Sequence, residues 1–159
     1  MILYHGSNIR IVVPDISYSK PFKDFVKGFY LSDNYEQANE MASQKVRQFH
    51  TGEPIVSMFN FDEKLLESKD LNVKIFPDYS EEWATFVINN RDENISQPVH
   101  DYDIVYGPIA DDGVTFQLRR YLGGVISLSR LVEELKFAKG ITFQYFFGTN
   151  KALQKLVAI

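Results

Sequence analysis

Two short strands marked by glycine constrain this chain more than any other part of it: Leu3-Tyr4-His5-Gly6-Ser7 and Lys27-Gly28-Phe29-Tyr30-Leu31-Ser32. Side chains alternate faces along a strand. Tyr30 and Ser32 therefore share one face, and Phe29 and Leu31 share the other, which is the expected core. His5 leaves its strand beside a glycine, where a ligand can approach the backbone closely. The stretch between the two, Asn8 to Phe25, is broken by Pro14 and Pro21. It reads as a loop with at most one short extended segment, and a connection this long inside a compact domain is functional or disordered.

Past Ser32 the pattern changes. Asp33 and Glu36 form a plausible capping box, and Tyr35, Ala38, Met41, Ala42, Val46 and Phe49 recur at helical spacing as one buried face. Strands are expected at Ile55–Phe61, Leu71–Phe76, Asp103–Pro108 and Ile141–Phe147. Ser80, Ser127 and Thr149 each stand where a helix cap belongs. Trp83, Phe86 and Val87 face the core from the helix after Ser80, and the last helix runs through Ala152, Leu153 and Leu156. A turn is expected at Ala110-Asp111-Asp112-Gly113. Val114 to Leu122 fits helix or strand, with helix preferred. Strands and helices mix without regular alternation of strand, helix and strand, so the fold class is α+β in a single domain spanning residues 1–159. That length is near the common domain size of about 100–150 residues.

Several function classes are disfavoured. The chain has no cysteine, hence no disulfide framework and no thiolate zinc site. No basic segment followed by a long apolar run opens it, so no signal peptide is expected. No stretch nears the roughly 18 apolar residues of a membrane span. A cytoplasmic location and no membrane partner are the expectation. The formal net charge is −4 and the basic residues are scattered, unlike the basic face of a nucleic-acid binder. His5, His50 and His100 make no metal-ligand spacing with one another, so no metal is expected, and no dinucleotide, phosphate-loop or nucleophile-elbow motif is present.

The order and spacing of four segments carry a resemblance. These are Tyr4-His5-Gly6-Ser7, then Gly28-Phe29-Tyr30-Leu31-Ser32 with its helix, then Asp103 to Ala110, and lastly Phe143 to Leu153. Together they cover nearly the whole chain and resemble the ADP-ribosyltransferase superfamily. The similarity is to its His–Tyr–Glu branch, typified by diphtheria toxin and the poly(ADP-ribose) polymerases, and more narrowly to a bacterial group of uncharacterised transferase-like proteins. The resemblance implies a split, strongly bent β-sandwich whose cleft holds NAD as co-substrate. It would give His5 the ribose hydroxyls, Gly6 the nicotinamide carboxamide through its backbone, and Tyr30 the face of the nicotinamide ring. Ser7 or Ser32 could support the ribose or position His5. It also implies mono-ADP-ribosyl transfer to an unknown protein or nucleic-acid acceptor, with an antitoxin protein as a possible partner.

The third motif position departs from that pattern. Where the family presents a glutamate, the strand Ile141–Phe147 places Gln144, on the face shared by Thr142 and Phe146. A glutamine can hold a ribose by hydrogen bonds, yet it can neither act as general base nor set negative charge opposite a developing cation. Asp111 or Asp112 could supply a carboxylate if their turn faced the cleft. A catalytically weak or inactive NAD- or ADP-ribose-binding module, or a protein-interaction domain, is the alternative that Gln144 favours. A nucleic-acid modifier would need a basic rim near Arg119, Arg120 and Arg130.

Overall fold

The computed structural model describes residues 1–137 and 140–159. In chain order the elements are β1 (Ile2–Ser7), β2 (Phe29–Leu31), α1 (Tyr35–Phe49), β3 (Ile55–Asn60), β4 (Val73–Ile75), α2 (Glu81–Arg91), β5 (Ile104–Pro108), α3 (Asp112–Leu122), α4 (Leu128–Phe137), β6 (Phe143–Phe147), α5 (Asn150–Leu153) and β7 (Val157–Ala158). Among the described residues the strands form two sheets, ordered β1-β3-β7 and β2-β6-β5-β4. All pairings are antiparallel except β4 with β5. The mixed α+β class expected from the sequence is the one observed.

β6 decides the layering. Its alternate side chains Tyr145 and Phe147 enter one core with Leu3, Phe59 and Phe61, between the two sheets. Phe146 points the other way, into a second core with Trp83, Val87, Leu118 and Leu131 of the helices. A strand buried on both faces needs apolar residues at every position. β6 supplies them except at Gln144, which is nonetheless buried. Trp83 is wholly enclosed and its indole N–H donates to the Pro108 carbonyl at 3.2 Å, so the burial leaves no orphan donor.

α1 departs from the expected packing. Only Ala38 and Ala42 of its apolar stripe are buried, while Tyr35, Met41 and Phe49 are exposed. The cause is Gly6: an added Cβ there would lie 1.9 Å from the Ala38 carbonyl oxygen and 2.8 Å from the Ala42 nitrogen. At that separation only small residues fit between helix and strand. The larger ones are pushed to the flanks, Tyr35 edge-on against Tyr4 and Phe49 beneath the Lys20 ammonium.

Three further expectations are corrected. The cap of α1 is Asn34, whose side chain accepts from the Gln37 N–H at 3.1 Å, rather than Asp33. The Asp111-Asp112-Gly113 segment is the start of α3, with Asp111 as its cap, rather than a free turn. The last helix stops at Leu153, and Val157–Ala158 returns as a strand on β3. Asn34→Ala should lower stability by about 1 kcal/mol, as loss of a cap does, and Asp33→Ala by well under half of that. Urea unfolding of the two variants checks the assignment, and equal losses would contradict it.

Among the described residues no helix is long and apolar enough to cross a membrane.

Candidate functional site

Among the described residues the two sheets are joined by backbone hydrogen bonds at one antiparallel bridge, where the Tyr4 N–H donates to the Ser32 carbonyl at 2.7 Å and the Ser32 N–H donates back at 2.9 Å. Backbone groups alternate sides along a strand. Gly6, two residues beyond Tyr4, therefore turns its N–H and C=O toward the same outer edge of β1, past the point where β2 has parted from it. His5, Gly6 and Tyr30 sit at this seam.

His5 is fixed edge-on. Its Nδ1 lies 2.7 Å from the Tyr30 carbonyl. A carbonyl only accepts, so Nδ1 carries the proton and Nε2 is left as an acceptor. The Lys45 ammonium meets that acceptor at 3.4 Å and donates to the Gly6 carbonyl at 2.8 Å. The imidazole also stacks on Phe29, with centroids 4.2 Å apart. Phe29 and Tyr30 take opposite faces of β2, so the His5 ring lies on the Phe29 side and meets Tyr30 only at its backbone carbonyl. Burial, then the charges of Lys45 and Lys23, lower the His5 pKa to about 3, against the raising effect of the Tyr30 carbonyl.

Tyr30 is held by two consecutive residues of the loop that precedes its strand. Its hydroxyl donates to the Val26 carbonyl at 2.5 Å and accepts from the Phe25 N–H at 3.1 Å. Burial, reinforced by Asp24, pushes its pKa well above the usual tyrosine value, so the phenol stays protonated. The Lys23 ammonium stands over the ring, 4.9 Å from its centroid, within cation–π range. Burial lowers the Lys23 pKa, with Asp24 opposing. Burial also lowers Lys45 to about 8, with the Lys23 charge adding to it.

The loop carrying Lys23, Asp24 and Phe25 is strained at both ends. Phe22 has φ 59° and Val26 φ 74°, a region that β-branched and bulky residues rarely enter. Such strain persists only where the surroundings over-determine it. Phe25 is fully enclosed in the helical core. Asp24 is buried too, accepting at Oδ1 from Arg91 Nε at 2.8 Å and Nη2 at 2.5 Å, and at Oδ2 from the Ala110 N–H at 2.9 Å. The same Oδ2 accepts from the Gln144 amide at 3.1 Å.

Gln144 lies on the Tyr30 face, because its strand neighbour Phe146 pairs with Tyr30 across the sheet. Its nearest carboxylate is Asp24. Asp111 instead caps α3 and lines a groove of about 380 Å³ with Tyr79, Gln117 and Glu134. Ser32 spends its hydroxyl on the turn into α1, donating to Gln37 Oε1 at 3.2 Å and accepting from the Asn34 N–H at 2.9 Å. The Ser7 hydroxyl reaches Asn8 at 3.5 Å. Positioning of His5 thus falls to the Tyr30 carbonyl and to neither serine. Arg130 is engaged by Glu133 at 3.2 Å and Glu134 at 2.6 Å, which takes one residue from the basic rim a nucleic-acid substrate would need. Among the described residues no three of His, Asp and Glu gather as a metal-binding group.

Lys23, Asp24 and Lys45 were not legible as site residues. Lys45 had a usable signal, since it follows Ala38 and Ala42 on the same helix face at a spacing of three to four residues. Asp24 had none, because an irregular loop shows no period from which burial can be read.

This chain belongs to the family described as protein of unknown function, DUF3990, which it matches over residues 1–157. No curated protein and no solved structure matches it.

Proposed function

We propose that the seam between β1 and β2 binds NAD and that the protein is a cytoplasmic ADP-ribosyltransferase with an ADP-ribosyltransferase-like bent sandwich. In the reaction the bond between nicotinamide and ribose breaks, nicotinamide leaves with the bonding pair, and an acceptor nucleophile joins the ribose carbon and loses its proton. The observation that carries this reading is that the seam already holds cations of its own at two places. Lys23 covers the Tyr30 ring and Lys45 takes the Gly6 carbonyl. Nicotinamide in NAD is a flat cation bearing an amide. An aromatic face and a strand-edge carbonyl are the partners such a group requires. Neutral His5, with Nδ1 spent on Tyr30, keeps Nε2 as acceptor for a ribose hydroxyl once Lys45 withdraws.

One observation favours a second reading, binding of NAD without transfer. Position 144 is an amide, and the carboxylate beside it is paired with Arg91. Release of nicotinamide from labelled NAD, with and without a bacterial lysate as acceptor source, separates the two. The wild type should release nicotinamide, and folded His5→Ala and Tyr30→Ala should each lose about a hundredfold, as enzymes do when a group that aligns the reacting centre is removed. NAD binding that both substitutions abolish, with no release by the wild type, would leave the second reading. Neither binding nor release would sink both.

A further inference from the structure

Gln144 is an amide whose two ends differ in chemistry, and its surroundings fix which end is engaged and which is left free. A carboxylate offers only acceptors. With Asp24 Oδ2 at 3.1 Å, the Gln144 side chain must present its NH2 to Asp24. The amide oxygen then points away. It has no hydrogen-bond partner among the described residues, yet unlike Asn90 Oδ1 it is not both unpaired and sealed from solvent. Asp24 itself cannot turn, because Arg91 grips one oxygen twice and the Ala110 N–H holds the other. Resting on the NAD reading above, we infer that Asp24 is a positioning residue, which locks Gln144 so that its oxygen faces the cleft as the hydrogen-bond acceptor that a carboxylate would otherwise provide there.

The ligand group that such an oxygen serves is a hydroxyl, which donates its proton to it. On the NAD reading this is a hydroxyl of the ribose attached to nicotinamide. The strained backbone at Phe22 and Val26 fits this role, for the loop departs from relaxed geometry at the two ends of the segment that brings Asp24 to the strand. Lys23 of the same segment covers Tyr30, so one loop tends both residues on that face.

Exchange of chemistry between the two positions tests the inference. In Asp24→Asn, Arg91 still requires an oxygen, so the new NH2 stands where Oδ2 was and faces both Gln144 and the Ala110 N–H, a loss that the single and double variants share. The glutamine must flip to accept from this NH2 and turns its own to the cleft. Nicotinamide release should fall about tenfold or more, mainly in kcat, the effect of one lost hydrogen bond of this strength. Adding Gln144→Glu to Asp24→Asn restores an acceptor on both sides of position 144, and activity should return to at least about a third of wild type. A folded double variant no better than the single one, or a single variant without loss, would overturn the inference. The side-chain amide resonances of Gln144, assigned by their disappearance in Gln144→Glu, give a readout that needs no NAD. One proton should be shifted and protected in the wild type, and both shift and protection should vanish in Asp24→Asn. Unchanged resonances would overturn the inference even if transfer is observed. If the wild type releases no nicotinamide, the transfer reading fails by itself, and these resonances still decide whether Asp24 holds the amide.

Discussion

Replacing Gly6 with alanine is expected to lower stability by about 3 kcal/mol or more, at the upper end of what overpacking a core does. The new methyl would meet the Ala38 carbonyl oxygen at 1.9 Å and the Ala42 nitrogen at 2.8 Å. Both are helix backbone, so no rotamer change relieves the clash and α1 must move bodily off β1. That motion would also lift Lys45 from the Gly6 carbonyl and from His5, so any NAD affinity should fall with the stability. Gly113→Ala is the control. Its Cβ would find only Asp111 Oδ1, at 3.4 Å, and an alanine in the first turn of α3 should leave stability unchanged or raise it by up to about 1 kcal/mol. Urea titration of both variants decides the matter. A Gly6→Ala protein as stable as the wild type would show that α1 does not pack on β1 as closely as described.

That result bears on how the site was read from sequence. The glycine after His5 suggested room for a ligand, and the glycine is indeed needed for a close approach. What approaches its Cα is the helix, and only the backbone edge of Gly6 is left for a ligand. The same contact explains the misread face of α1. Helical spacing groups Tyr35, Met41 and Phe49 with Ala38 and Ala42, but period alone does not say how far the helix stands from its sheet. Here the distance admits alanine alone.

Strand assignments fared better, because alternation and β-branched or aromatic content are local and β6 carries them at nearly every position. Gln144 within β6 was singled out by the resemblance, as the residue standing where a glutamate is expected. Its partner was not legible: Asp24 lies 120 residues away in sequence, in a loop whose path is set by strained turns and by burial of Phe25. Asp111 and Asp112 were expected to supply a carboxylate only if their turn faced the cleft, and an Asp-Asp-Gly turn favours aspartate for backbone reasons. Asp111 proved to be a helix cap, which places it on the groove beside α4.

Acid should find His5 before it finds most of the fold. In the folded protein its pKa is lowered to about 3, and the unfolded value is 6.5. Above the unfolded value the ring is neutral in both states and contributes no pH dependence. As the pH falls below it, the unfolded chain takes up a proton that the folded one refuses, so stability declines. The decline ends only near the folded pKa and amounts to about 3 kcal/mol between about pH 7 and pH 4. His5→Asn keeps a donor for the Tyr30 carbonyl but has nothing to titrate. Urea titrations across that range should show the wild type losing about 3 kcal/mol more than the variant, while losses from carboxylates common to both cancel in the difference. Lys45 works in the opposite window. Lowered to about 8 from 10.5, it should let stability rise with pH between those values, and Lys45→Met should flatten that rise. Parallel acid slopes for wild type and His5→Asn would mean that the folded protein protonates His5 readily. Nε2 would then donate, Lys45 could not stand beside it, and a ribose hydroxyl would meet a donor where the proposed cleft requires an acceptor.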